Sequence, residues 1–134
     1  ISAFLVPHRN ELSETVGYKI KSNKKSLIYI PDIDSWDEWD TNLNDLIQDN
    51  DVLMLDGTFY SKDEIENRNI KKIPHPSIID SMTITQHNTF KEKNKIYFTH
   101  LNHTNRALDE KSEEYNNVIT SGYNILKDKQ IFNL

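Results

Sequence analysis

The chain has no cysteine. This excludes disulfides, thiolate zinc sites and a cysteine nucleophile, so any metal must be bound by His, Asp, Glu or water. Net positive charge is also missing: 16 Lys and Arg face 21 Asp and Glu, a formal charge of -5. No global positive field draws such a chain to phosphate backbones, and nucleic acid is not expected as a partner. No apolar run approaches the roughly 18 residues of a membrane-spanning helix, so no membrane partner is expected either. Internal repeats, Gly/Ser linkers and low-complexity tracts are absent. What is there, 134 residues, fits one domain with room for a buried core.

Short β-branched or aromatic segments predict strands at Ala3 to Val6, Thr15 to Lys21, Ser26 to Ile30, Val52 to Leu55, Lys95 to Thr99 and Tyr123 to Leu126, with a last one at Gln130 to Phe132. Val16, Tyr18 and Ile20 alternate, as on a half-buried strand. The third and fourth segments are nearly all apolar and predict burial on both sides. Between them, Trp36, Trp39, Leu43, Leu46 and Ile47 recur at helical spacing and predict a helix over Trp36 to Gln48, capped by Asp34 or Ser35. Shorter helices are expected at Lys62 to Asn67, Ser77 to Thr85 and Ser112 to Ser121, the last stopped by Gly122. Strands alternating with helices imply a layered α/β or α+β architecture.

Polar residues fall at the ends of these strands. Asp32 follows "SLIYIP", Asp56 closes "DVLMLD", His100 closes "KIYFTH" and His8 follows "AFLVP". In layered sheets the carboxyl ends of strands form the crevice that binds ligands. Any one placement is ordinary, because strands must end in something polar; four metal-competent side chains so placed point to a shared site.

Each local signal is weak by itself. A lone His100 is more often a hydrogen-bonded structural residue than a ligand, and His100 with His103 could grip one metal only if their loop turned helically. Asp56 opens Asp-Gly, first of all a turn signal. His75 sits between two prolines in "IPHPS", a rigid frame that could pin an imidazole for catalysis or merely shape a loop. Trp36 and Trp39 read as packing residues, and His87 as a solvated helix end.

The segments "VPHRNELSETVGYKI", "LIYIPDID", "VLMLDGTFYSKDEI", "IPHPSI" and "IYFTHLNHTN", in this order, resemble the carboxyl-terminal half of metallo-β-lactamase-fold proteins. Within that superfamily the chain is most similar to the branch labelled pyrroloquinoline quinone biosynthesis protein B and its hydrolase relatives. The resemblance runs over about residues 3 to 126. It implies an α+β fold of four αββα layers, with this chain supplying one mixed sheet and its helices. It further implies a binuclear divalent metal centre, zinc first, with manganese or iron as alternatives.

By the same resemblance, His8 and His100 correspond to metal-binding histidines and Asp32 to the aspartate that bridges the metals. Asp56 and His75 correspond to an acidic residue and a histidine placed to protonate a leaving oxygen. A carboxylate beside such a histidine raises its pKa and fixes its tautomer. His103 would contact substrate or support the ligands, Arg9 would pair with an anionic substrate or with Glu11, and Glu11 or Glu14 would accept from a ligating imidazole.

The family's "HxHxDH" segment does not occur in this sequence, so the chain offers three of the usual seven ligands. It is expected to bind metal weakly and to be inactive alone, with the amino-terminal half of the domain as its missing partner. An uncovered sheet face would then favour a homodimer. Three functions follow as expectations. The first is hydrolysis of a small-molecule ester or a phosphodiester. The second is an oxidative step in quinone-cofactor biosynthesis. The third is a non-catalytic binding module.

Overall fold

Apolar β-branched runs place the sheet at the centre of the molecule. The computed structural model describes residues 1–9, 13–64 and 75–134. Among these residues six strands, β1 (Ser2–Leu5), β2 (Val16–Lys21), β3 (Ser26–Ile30), β4 (Val52–Asp56), β5 (Ile96–Thr99) and β6 (Asn124–Ile125), form one sheet in sequence order. β1, β2 and β3 pair antiparallel, and β3 to β6 pair parallel. Parallel neighbours need long crossovers. Here these carry α1 (Leu43–Asp49), then α2 (Ile78–Ile84) and α3 (Phe90–Lys93), then α4 (Glu113–Thr120). Single 3-10 turns stand at Lys62–Glu64 and Arg106–Leu108. This mixed sheet with flanking helices is the expected α+β architecture. No helix among the described residues is long and apolar enough to cross a membrane.

The topology fixes one functional consequence. β3, β4 and β5 run the same way, and β1, two antiparallel steps from β3, runs with them. The carboxyl ends of β1, β3, β4 and β5 therefore meet along one edge.

The two faces of the sheet differ. Ile28, Ile30, Leu53, Leu55, Ile96 and Phe98 share one face by register and are essentially inaccessible under the helices, each burial contributing about 1.5–3 kcal/mol. On the other face Val16, Ile20, Tyr29, Val52, Met54 and Tyr97 are only half-buried, and Leu5 and Tyr18 are exposed. β4 was expected to be buried on both sides; Leu53 and Leu55 are buried, under the side chains of α1, α2 and α4 in the core, whereas Val52 and Met54 are half-buried.

Helix boundaries follow the caps. Ser77 and Asp80 form a capping box at α2, and Ser112 caps α4, as the predicted spans require. The predicted helix at Trp36 to Gln48 is half realised: α1 starts at Leu43, where the Asn42 side chain accepts from Asn44 N–H at 2.8 Å. Its upstream tryptophans obey tertiary packing instead. Trp36 Nε1 donates to Ser81 Oγ at 2.8 Å, and Trp39 stacks on Phe4 at 5.8 Å. Their helical spacing reflects two indoles reaching the core without a helix between them. Neither Asp34 nor Ser35 caps a helix.

Gln130 to Phe132, expected as a last strand, pairs with no strand among the described residues. Phe132 packs edge-on against Tyr97 at 4.9 Å, so its aromatic character serves face packing. α3 was not anticipated, although Thr89 and Glu92 form its capping box. Of the helix expected at Lys62 to Asn67, Lys62–Glu64 is a 3-10 turn, and 65–67 lie outside the described residues.

Candidate metal centre

Asp56 is the hub of the strand-end edge. It ends β4 with no exposed surface and both carboxylate oxygens are engaged. Oδ1 accepts from Thr58 N–H at 2.9 Å and Thr58 O–H at 2.7 Å, closing the Asp-Gly-Thr turn. Oδ2 accepts from Ile33 N–H at 3.1 Å, tying β4 to the segment after β3, and meets His75 Nδ1 at 2.8 Å. Gly57 lets this turn sit against β5: a Cβ there would lie 2.9 Å from Phe98 Cβ and 3.1 Å from the Thr99 carbonyl oxygen. Buried Asn105 donates to the Gly57 carbonyl at 2.9 Å and holds the turn from the other side.

His75 enters from the start of α2. Its Nδ1 is also 3.5 Å from Asp32 Oδ1. Burial disfavours the imidazolium. The Asp56 hydrogen bond and the nearby charges of Asp56, Asp32 and Asp34 outweigh it, and the pKa of His75 is raised above its ordinary 6.5. With Nδ1–H given to Asp56, Nε2 is the atom free to exchange a proton.

His8 follows β1 and meets two carboxylates, Asp32 Oδ2 at 3.3 Å and Asp34 Oδ1 at 3.7 Å from its Nε2. Among the described residues two groups of side chains could thus hold an ion: His8, Asp32 and Asp34, and Asp32, Asp56 and His75. Asp32 belongs to both. His100 stands beside them, its Nδ1 3.0 Å from Thr58 Oγ1 and its ring 6.2 Å from that of His75. It holds φ at 59°, a left-handed backbone that a non-glycine residue adopts at a cost of about 1 kcal/mol or more.

The remaining expected residues take other positions. Arg9 binds Asp34, through its backbone N–H at 2.8 Å and its Nε at 3.3 Å, both to Oδ2. Glu11 lies outside the described residues. Glu14 is exposed ahead of β2, and His103 is exposed in the turn after His100; both stand outside the two groups. Asp34, expected from sequence as a helix cap, and Thr58, to which the sequence assigns no role, join the site instead. Asp34 repeats Asp32 two residues on, and Thr58 completes the Asp-Gly-Thr turn.

Beside His75 opens a cavity of about 510 Å³ lined by Asp34, Trp36, Lys62, His75, Pro76 and Asp80 among others. It leads from solvent to the His75 side of the centre.

Comparison with known proteins places this geometry. A family described as "Beta-lactamase superfamily domain" matches residues 1–113. The chain belongs to this superfamily. Coenzyme PQQ synthesis protein B of Acinetobacter baumannii strain ACICU is 26% identical over 132 residues, covering 91% of this chain and 42% of that protein. The protein of strain SDF gives the same figures. The solved structure of Zn(2+)-bound PqqB from Methylobacterium extorquens matches with a TM-score of 0.69 at 24% identity, over 99% of this chain and 50% of that one. The chain spans less than half the length of the curated relatives it matches. The superfamily and the PqqB-like branch agree with the sequence resemblance, and the mixed sheet with flanking helices is the metallo-β-lactamase α+β fold.

The donor set fits a divalent cation. It offers only nitrogen and oxygen, as zinc, manganese and iron accept. Asp32 Oδ1 and Asp34 Oδ1 are inaccessible to solvent and have no hydrogen-bond partner among the described residues. Buried carboxylate oxygens without a donor are costly unless a cation meets them.

Proposed function

We propose that the protein is a metal-dependent hydrolase of an ester or phosphodiester, with His8, Asp32 and His100 as ligands and His75 as general acid. The observation that carries this is the pair His75–Asp56, a buried carboxylate at 2.8 Å holding an imidazole beside Asp32. Two bound divalent cations, zinc first and manganese or iron as alternatives, would supply an activated hydroxide and neutralise charge on the reacting oxygens.

The chain's own residues do the rest. Asp32 turns one oxygen toward His8 and the other toward His75, so it would hold a cation beside His8 while facing the ring of the acid. Asp56 fixes the His75 tautomer with Nε2 free, and its charge raises the pKa of the ring, which favours a proton that Nε2 can deliver to a leaving oxygen. Thr58 links Asp56 to His100 and sets the orientation of that ring. Because the chain spans 42% of the curated relatives, the remaining ligands would come from outside it, from the amino-terminal half of the domain.

The test is metal analysis and hydrolysis of bis(p-nitrophenyl) phosphate by the protein as its gene encodes it. His75→Ala should lower kcat by roughly 10²–10⁴-fold at unchanged metal content. Asp32→Ala should lose metal and activity together. If Asp32→Ala and His100→Ala leave both unchanged, the chain is a binding module.

A second reading rests on the similarity to Coenzyme PQQ synthesis protein B at 26% identity. The same ligands would then serve an oxidative step in quinone-cofactor biosynthesis. Iron-dependent oxygen uptake without hydrolysis would replace the hydrolase reading with this one.

A further inference from the structure

Asp34 stands out because its two oxygens are used so differently. Its backbone N–H donates to the Pro7 carbonyl at 2.9 Å. Its Oδ2 accepts from Arg9 N–H at 2.8 Å and lies 3.3 Å from Arg9 Nε. Pro7 and Arg9 are the residues on either side of His8, so Asp34 grips the chain before and after that histidine and presents its ring toward Asp32. The other oxygen, Oδ1, is inaccessible, has no hydrogen-bond partner among the described residues and lies 3.7 Å from His8 Nε2.

Positioning His8 would need only Oδ2 and the backbone. A buried anionic oxygen with no donor among the described residues is expensive, and its position beside His8 and Asp32 supplies a reason: one possible ligand atom from each of the three lies within 4.8 Å of the others.

We propose that Asp34 is itself a metal ligand, joining His8 and Asp32 at the strand-end metal centre. This rests on the reading of the strand-end edge as a metal centre and extends it by one carboxylate. The ligand is a divalent cation that accepts one imidazole nitrogen and two carboxylate oxygens, which zinc does. The site bears two formal negative charges from its carboxylates, which matches the cation's charge.

Asp34→Asn separates the two roles. The amide oxygen can still accept from Arg9, so the grip on the residues around His8 survives, while the anionic second oxygen is replaced by an amide nitrogen that cannot ligate. Zinc affinity of the natural-length protein, measured by competition with a chromophoric chelator, should fall about tenfold or more, with the melting temperature of the metal-free protein unchanged. Asp37→Asn, an exposed neighbour, should leave affinity at the wild-type value. Wild-type affinity in a folded Asp34→Asn variant overturns the proposal and leaves the metal-centre reading intact. Failure of the wild-type protein to bind zinc overturns both.

A second measurement does not depend on any variant. In a crystal structure of the zinc-loaded wild-type protein, Asp34 Oδ1 should lie about 2.0–2.2 Å from zinc; a zinc-bound structure with that oxygen outside bonding distance overturns the proposal.

Discussion

Asp56 and His75 carry the sharpest consequences at the scale of single residues. Every hydrogen bond to the Asp56 carboxylate comes from a donor: two from Thr58, one from Ile33 and one from His75. Asp56→Asn turns an amide NH2 toward one pair of them and removes the charge facing the imidazole. It should destabilise the protein by about 2 kcal/mol, read from urea unfolding. The raised pKa of His75 gives a pH signature in the metal-free protein. A group whose folded pKa lies above its unfolded value contributes stability that is fully present below the unfolded value. That contribution is lost as pH rises through the folded one. Stability should therefore decline above pH 6.5, and His75→Gln should flatten the decline. An NMR titration should place His75 above 6.5 and show its pKa falling in Asp56→Asn.

Single elements succeed or fail by their ends and close approaches. α2 holds His75 at the site through its first turn. Ser77 Oγ accepts from Asp80 N–H at 3.1 Å, and Asp80 Oδ2 accepts from Ser77 N–H at 3.0 Å. Ser77→Ala should cost about 1 kcal/mol and, by loosening this turn, broaden the His75 resonances. Burial raises the pKa of Asp80. The hydrogen bonds from Ser77 and the Lys62 ammonium outweigh burial, so the net shift is downward from 3.8. A lowered pKa contributes stability present above the unfolded value and lost as pH falls through the folded one. Asp80→Asn should thus remove part of the acid limb of a pH–stability profile below pH 3.8. Gly57 is the other element-scale constraint. Its added Cβ would meet Phe98 Cβ at 2.9 Å and a backbone oxygen at 3.1 Å, neither able to yield freely. Gly57→Ala should cost about 1–3 kcal/mol and displace Thr58 from Asp56 and His100.

At the scale of the whole molecule the two faces of the sheet decide behaviour in solution. Helices cover the face of Ile28, Ile30, Leu55 and Phe98, while Leu5, Tyr18, Tyr29 and Met54 share an open apolar face that narrows to an exposed edge at β1. Apolar surface of this kind is normally covered by a partner, and an unpaired edge strand invites strand addition. The chain expressed by itself should self-associate, as light scattering coupled to size-exclusion chromatography would show. Leu5→Lys with Tyr18→Lys, both at exposed positions, should shift it toward monomer. A wild-type chain that stays monomeric would show that this face needs no cover.

The sequence by itself determined six of the seven strands it predicts, the starts of α2 and α4 and the idea of a site at strand ends, because these depend on local chemistry. β-branched runs read as strands, a helical span opening on Ser77 or Ser112 as a helix, and a polar residue after an apolar run as a strand terminus. His8, Asp32, Asp56 and His75 were legible this way together with the family resemblance. The tertiary structure alone decided what those residues do to one another. Trp36 and Trp39 mimicked a helix because a packing requirement can produce helical spacing without helical backbone. Asp34 read as a cap because an Asp before an apolar run is ambiguous until Arg9, 25 residues away in sequence, closes on its carboxylate at 2.8 Å. Whether Asp56 merely turns the chain or also orders His75 and Thr58 depends on parallel strands bringing distant ends to one edge, a long-range fact that no local pattern contains.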